Sequence, residues 1–264
     1  MKAERVQEFR QKLEKIVLRY FELRRPKGRI LAFPSGKGGV GKTIVVINLA
    51  SALALKGKKV LVMDLNFALP NIHMYLDEAP SATLTHYLNE KAELAQITGK
   101  ILLKDAEFHV IPTDSIVDVQ KKIDFDKLRS FLEYLKSRYD YILLDLAPGL
   151  SKYVVYPLKL SDHIFIVTAD VKPAYMDAIK VLKYISSIGG IHEGFIVNMV
   201  ESNELKYFRH MGVFAVIPYD ELLKKAAQNG KTVFHLRFSG IFSSSRKVFV
   251  RMADEILARL SSEI

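Results

Sequence analysis

The chain has 264 residues, 49% hydrophobic and 26% charged, enough apolar material for one large core or at most two domains and too much for disorder. Its longest apolar runs are strand-sized, far short of the roughly 20 residues a membrane-spanning helix needs, and the mixed-charge start excludes a secretory signal. It has no cysteine, so it holds no disulfide and no thiolate metal site, which agrees with a cytoplasmic location. The formal charge of +10 is uneven: residues 1–30 carry ten Lys/Arg against four Glu, a net +6, leaving only +4 for the rest.

In chain order, residues 4–24 read as one amphipathic helix. Val6, Phe9, Leu13, Ile16, Val17, Tyr20 and Phe21 recur at steps of three and four, and Pro26 and Gly28 end the pattern. This sets a basic arm, 1–27, apart from a body, 28–264. Within the body the predicted strands are Arg29–Phe33, Lys59–Asp64, Glu107–Ile111, Tyr141–Asp145, His163–Ala169, Gly194–Asn198 and Val213–Ile217. Helical patterns fall near 42–56, 82–89, 125–138, 174–187, 203–210, 219–228 and 245–261. Strands such as Val60-Leu61-Val62-Met63 are apolar on both faces, as a sheet covered on both sides requires. The expected fold is α/β: a doubly wound, mostly parallel sheet in one domain.

The strongest motif is Ser35-Gly36-Lys37-Gly38-Gly39-Val40-Gly41-Lys42-Thr43, between a predicted strand and a predicted helix. It fits the phosphate-loop pattern: glycines let backbone N–H groups face phosphate oxygens at a helix N-terminus, Lys42 reaches the β- and γ-phosphates, and the Thr43 hydroxyl reaches Mg²⁺. Two apolar strands end in acids, Asp64 and Asp145, where an open α/β sheet binds its ligand, and both are candidates to hold Mg²⁺. The seven histidines show no metal-ligand spacing.

Lys37 is an extra cation that packing does not explain. The run Gly-Lys-Gly-Gly-Val-Gly-Lys-Thr resembles the deviant Walker A motif of the MinD/ParA family of ATPases, and Asp145-Leu-Ala-Pro-Gly149 resembles its Walker B segment. The resemblance covers residues 28–260 and implies a P-loop NTPase fold binding ATP or ADP with Mg²⁺. It also implies a homodimer in the ATP state, in which Lys37 reaches the partner's nucleotide and slow hydrolysis reopens the pair. Asn198, ending Ile196-Val197-Asn198, and the segment Ala215–Asp220, with Pro218 and Asp220, resemble the family's adenine-binding end. Asp64-Leu65-Asn66 departs from the family's Asp-x-Asp: Asn66 can orient a water but cannot take its proton, which predicts slow or lost hydrolysis. The alternative is a nucleotide-binding scaffold that does not hydrolyse.

Within the family, Asn66-Phe67-Ala68-Leu69-Pro70-Asn71, Ser81-Ala82-Thr83-Leu84 and Val216–Asp220 are similar to the FlhG/FleN branch, the MinD-like regulators of flagellar number. That branch implies a partner, the SRP-type GTPase FlhF, engaged through the N-terminal arm, although Glu4–Arg10 keeps only part of the branch's motif. For the arm, packing on its own domain, docking a protein and lying peripherally on an anionic membrane all stay open. Residues 248–260 read as the last domain helix, so membrane binding through a C-terminal tail is not expected. DNA binding is disfavoured by the body's charge of +4. A metal-cluster carrier of related type is disfavoured by the lack of cysteine.

Overall fold

A computed structural model describes residues 28–115, 123–202, 204–236 and 242–261. The expected amphipathic helix over 4–24 lies outside them. Eight strands form one sheet: β1 (Arg29–Ser35), β2 (Val60–Leu65), β3 (Gly99–Leu102), β4 (Glu107–Ile111), β5 (Tyr141–Pro148), β6 (His163–Ala169), β7 (His192–Val200) and β8 (Val213–Pro218). Their order is β3-β4-β2-β5-β1-β6-β7-β8, and every pairing is parallel except β3 with β4.

Alternation along the strands builds two cores. Leu31, Phe33, Val60 and Val62 face one layer, and Ile30, Ala32, Leu61 and Met63 face the other. With a period of two, a strand apolar at every position must be covered twice. Helix α1 (Lys42–Leu55) fills the first layer and is buried along nearly its whole length; α8 (Ser244–Ser261) lies beside it. The second layer holds α4 (Phe125–Lys136), α5 (Lys152–Leu160) and α6 (Lys172–Ser187), with the short α2 (Leu84–Leu88) and α3 (Leu94–Ile97) near β3. Helix α7 (Glu221–Gln228) follows β8.

The seven expected strands form within a few residues of their predicted limits. Three differences have physical causes. Strand β3, absent from the sequence reading, is a four-residue antiparallel edge strand opened by Gly99, too short for a period to show. Helix α5 was hidden by Pro157, which the helix tolerates. The helix expected near 203–210 does not form: residues 204–211 run through bends and turns, and the Asp170 carboxylate accepts the N–H groups of Lys206 and Tyr207 instead. A side-chain acceptor gives backbone donors an alternative to the helix ladder. Among the described residues no helix is long and apolar enough to cross a membrane.

Candidate functional site

β1 delivers the loop 36–41 to the C-terminal edge of the sheet, where it turns into α1. Gly41 stands at the helix entry with φ +78°, in the left-handed region that costs a side chain roughly 1–2 kcal/mol. Gly36 is required by contact: a Cβ there would lie 2.5–2.6 Å from the backbone and Cβ of Asp177 in α6. Gly36→Ala must therefore push α6 off the loop, and should lower stability by about 1–3 kcal/mol with a matching loss of nucleotide affinity. Urea unfolding and calorimetric titration of ADP check this.

A cleft of about 450 Å³ opens over the loop, lined by Lys37 to Ile44, Asn66, Ala68, Leu69, Asn71 and Tyr75. At its floor the β2–β5 register sets Asp64 beside Asp145, and both carboxylates are fully buried. Lys42 Nζ donates to Asp145 Oδ1 at 2.8 Å and the Thr43 hydroxyl to Asp145 Oδ2 at 2.6 Å. Asp64 accepts backbone N–H groups from Asn66, Asn71 and Ile72 at 2.9, 3.3 and 3.4 Å, which winds residues 66–72 around it. The Asn66 amide is used within that loop: Nδ2 donates to the Leu69 carbonyl at 2.8 Å, and Oδ1 lies 3.4 Å from the Leu69 N–H.

Two buried carboxylates thus share one buried ammonium group. Burial, and then the charge of Asp145, push the Asp64 carboxyl up from 3.8 to about 7. A carboxyl whose folded pKa exceeds its unfolded value binds its proton more readily in the folded state. Its contribution to stability is therefore greatest below about pH 4 and declines as pH rises through about 7. Nucleotide-free protein should lose stability between pH 5 and 7.5 more steeply than an Asp64→Asn variant does, which urea unfolding at several pH values measures.

The surplus negative charge, the Thr43 hydroxyl and the all-oxygen donor set suit a hard divalent cation such as Mg²⁺. Among the described residues no cluster of three or more His, Cys, Asp or Glu is poised to hold a metal alone.

The structure brings together Gly36 to Thr43, Asp64, Asn66 and Asp145, and adds Asn198, whose Nδ2 donates to the Val40 carbonyl at 2.9 Å. Pro218 and Asp220 are placed elsewhere, at the junction of β8 with α7 and α8. Pro218 lines a separate cavity there. Asp220 caps α7 through the N–H groups of Leu222 and Leu223, and accepts from the Ser243 hydroxyl and the Ser245 N–H. Burial alone would raise its pKa, but these donors hold it below the ordinary carboxylate value. Among the cleft residues with no role assigned from sequence are Asn71, whose side-chain oxygen lies 3.2 Å from the Thr43 hydroxyl, and the buried Tyr75. Asn71 stands in the motif that carries the branch resemblance, so its position was visible although its contact was not.

A glycine-rich loop between a buried parallel strand and helix, with one strand-end acid, Asp145, bonded to its lysine and threonine and a second, Asp64, beside it, defines a P-loop NTPase. Residues 28–193 match the family model AAA_31, described as AAA domain. Over 214 residues the chain is 30% identical to an uncharacterized ATP-binding protein of Methanocaldococcus jannaschii, covering 76% of this chain and 78% of that one. It is 27% identical to the antiactivator FleN of Pseudomonas aeruginosa, covering 78% and 79%. The septum site-determining protein MinD of Pyrococcus horikoshii, solved in complex with Mg-ADP, superposes with a TM-score of 0.75 at 27% identity, covering 90% of this chain and 100% of that one. The chain belongs to the MinD/ParA family of P-loop ATPases.

Proposed function

We propose that the chain is an ATP-operated dimerisation switch that regulates the placement or number of a cellular structure. The observation that carries this reading is the floor of the cleft, where Lys42 and Thr43 meet Asp145 beside Asp64. Lys42 neutralises phosphate charge, the loop's N–H groups hold phosphate oxygens, and Thr43, Asp64 and Asp145 would hold Mg²⁺. When bound, Mg²⁺ supplies charge neutralisation at the β- and γ-phosphates. Asn66 and Asn71 lie on the loop that Asp64 anchors, so ligands that draw on Thr43 or Asp64 also act on that loop.

The face around the cleft supports a second copy as the partner. Leu69, Leu150, Val171 and Met176 are 78%, 38%, 50% and 52% exposed; the first three lie just beyond the C-terminal ends of β2, β5 and β6, and Met176 lies in the N-terminal part of α6. Lys37 lines the same cleft and makes no ion pair among the described residues. With a non-hydrolysable ATP analogue and Mg²⁺, sedimentation should give twice the mass found with ADP or with no nucleotide. A monomer under all three conditions contradicts the reading.

Flagellar number is the finer form of this function, supported by the likeness to FleN, with an FlhF-like GTPase as the arm's partner and a peripheral membrane contact as its other use. Asn66 favours a second reading, a nucleotide-binding scaffold that does not hydrolyse, since its amide is engaged with Leu69 and cannot act as a base.

A further inference from the structure

The loop that Asp64 winds does not end at the cleft. Beyond Asn71 it makes a single 3-10 turn, Ile72–Tyr75, and reaches β3 at Asp77. There the Asp77 N–H donates to the Lys100 carbonyl, and its carboxylate accepts the Leu102 N–H at 2.8 Å. A second segment, 230–235, follows α7 and meets this stretch twice. Lys231 forms an ion pair with Asp77. The buried His235 Nε2, which has no hydrogen-bond partner among the described residues, faces the same carboxylate at 3.7 Å. Gly230 packs directly on the turn: a Cβ there would lie 2.3 Å from the Met74 carbonyl oxygen.

Segment 230–235 is itself fastened to α1, the helix that begins with Lys42 and Thr43. The Val233 N–H donates to Asn48 Oδ1 at 2.9 Å, and Thr232 Oγ1 lies 3.3 Å from Ser51 Oγ. Val233 and Phe234 are buried in the same core layer as α1. The loop is therefore held twice, at the cleft by Asp64 and beyond it by 230–235. On the short stretch from one hold to the other stand Asn71, 3.2 Å from the Thr43 hydroxyl, and Tyr75, which lines the cleft. The Met74 N–H donates to the Asn71 carbonyl at 3.2 Å, so a close-packed turn carries a shift of Met74 to Asn71. Asp77, Gly230 and Lys231 do not line the cleft and act on a ligand there only through the loop.

We infer that Gly230, Lys231 and Asp77 are positioning residues for the nucleotide site: they form a latch, remote from the ligand, that sets where the loop presents Asn71 and Tyr75 to it. This rests on the nucleotide-binding reading above and adds to it a control point outside the cleft. A latch acts on ligand affinity through the position of the loop, whereas a merely structural contact acts on stability alone. Two left-handed glycines separate these effects. Gly230 follows α7 with φ +64°, and Gly189 follows α6 with φ +69° and nothing within 4 Å of where its Cβ would stand. An alanine carries similar backbone strain at both, but only at Gly230 does it meet Met74.

Calorimetric titration of Mg-ADP compares wild type with Gly230→Ala and Gly189→Ala, and urea unfolding records the stability of each. The latch predicts that Gly230→Ala weakens Mg-ADP by about 10-fold, because the turn must move off the new methyl group, while Gly189→Ala binds it like wild type. Equal affinity in Gly230→Ala and wild type overturns the inference, as does an equal loss in the two alanine variants, which would reduce the contact to support of the fold. Where Gly230→Ala does not fold, Asp77→Asn, Lys231→Gln and the double variant decide. Each single variant should weaken Mg-ADP by about threefold, the scale of a partly exposed ion pair, and the double variant no more than either. Unchanged affinity in all three, or losses that add, overturns the latch. Failure of the wild-type chain to bind Mg-ADP would instead remove the nucleotide reading itself.

Discussion

Replacing Lys42 by alanine is expected to lower ADP affinity by roughly 100-fold or more, because a charge-assisted donor to phosphate is lost from a buried site. It should also destabilise the nucleotide-free protein. Lys42 is 8% exposed and is the ammonium group that Asp64 and Asp145 share, and removing one partner of such a buried pair costs about 3–5 kcal/mol. Part of that loss should return on acidification, when the carboxyls can be protonated. Lys42→Arg separates the two effects: it keeps the positive charge and so most of the stability, but a planar guanidinium does not reproduce the ammonium's point contact with phosphate. Calorimetric ADP titration and urea unfolding at pH 6 and 8 measure all of this. Equal ADP affinity in wild type and Lys42→Ala would exclude the loop as the nucleotide site.

The second large effect is expected at Asn66. An aspartate there can accept a proton from an attacking water, and general-base assistance contributes on the order of 10²–10⁴ in rate. Asn66→Asp should therefore raise turnover at least about 10-fold if Asn66 limits hydrolysis. The same change carries a cost in the fold. Asn66 is 8% exposed and its Nδ2 donates to the Leu69 carbonyl. A carboxylate offers no such proton and adds a third acid beside Asp64, so the nucleotide-free variant should be less stable by about 1–3 kcal/mol. Faster turnover in a less stable protein is the signature. Equal turnover in the two proteins would show that Asn66 is not what sets the rate.

Much of this was legible in the sequence because the signals are local. A strand buried on both faces is apolar at every residue, and a phosphate loop needs glycines at fixed offsets, so β1, β2, β5 and the loop 36–43 stand out without any tertiary knowledge. Strand-end acids are also visible, which is how Asp64 and Asp145 were found. What was hidden depends on contacts distant in sequence. The reach of Asn71 to Thr43 exists because Asp64 winds the intervening loop, and the hold of Asn198 on Val40 spans three strands. Asp220 looks like a ligand residue in a motif, yet the structure gives its oxygens to Ser243, Ser245 and the start of α7. The 204–211 segment has helix-like spacing, but Asp170 captures its N–H groups.

The proposed switch is one that two copies complete, and ATP turnover per subunit over a wide range of protein concentration is its sharpest test, with Mg²⁺ present and Lys42→Ala as control. A switch completed by two copies should show a slow rate per subunit that rises with concentration, as a dimer forms, and vanishes in the control. A rate independent of concentration would contradict the dimer, and bound ATP without turnover at any concentration would give the chain the role of a scaffold.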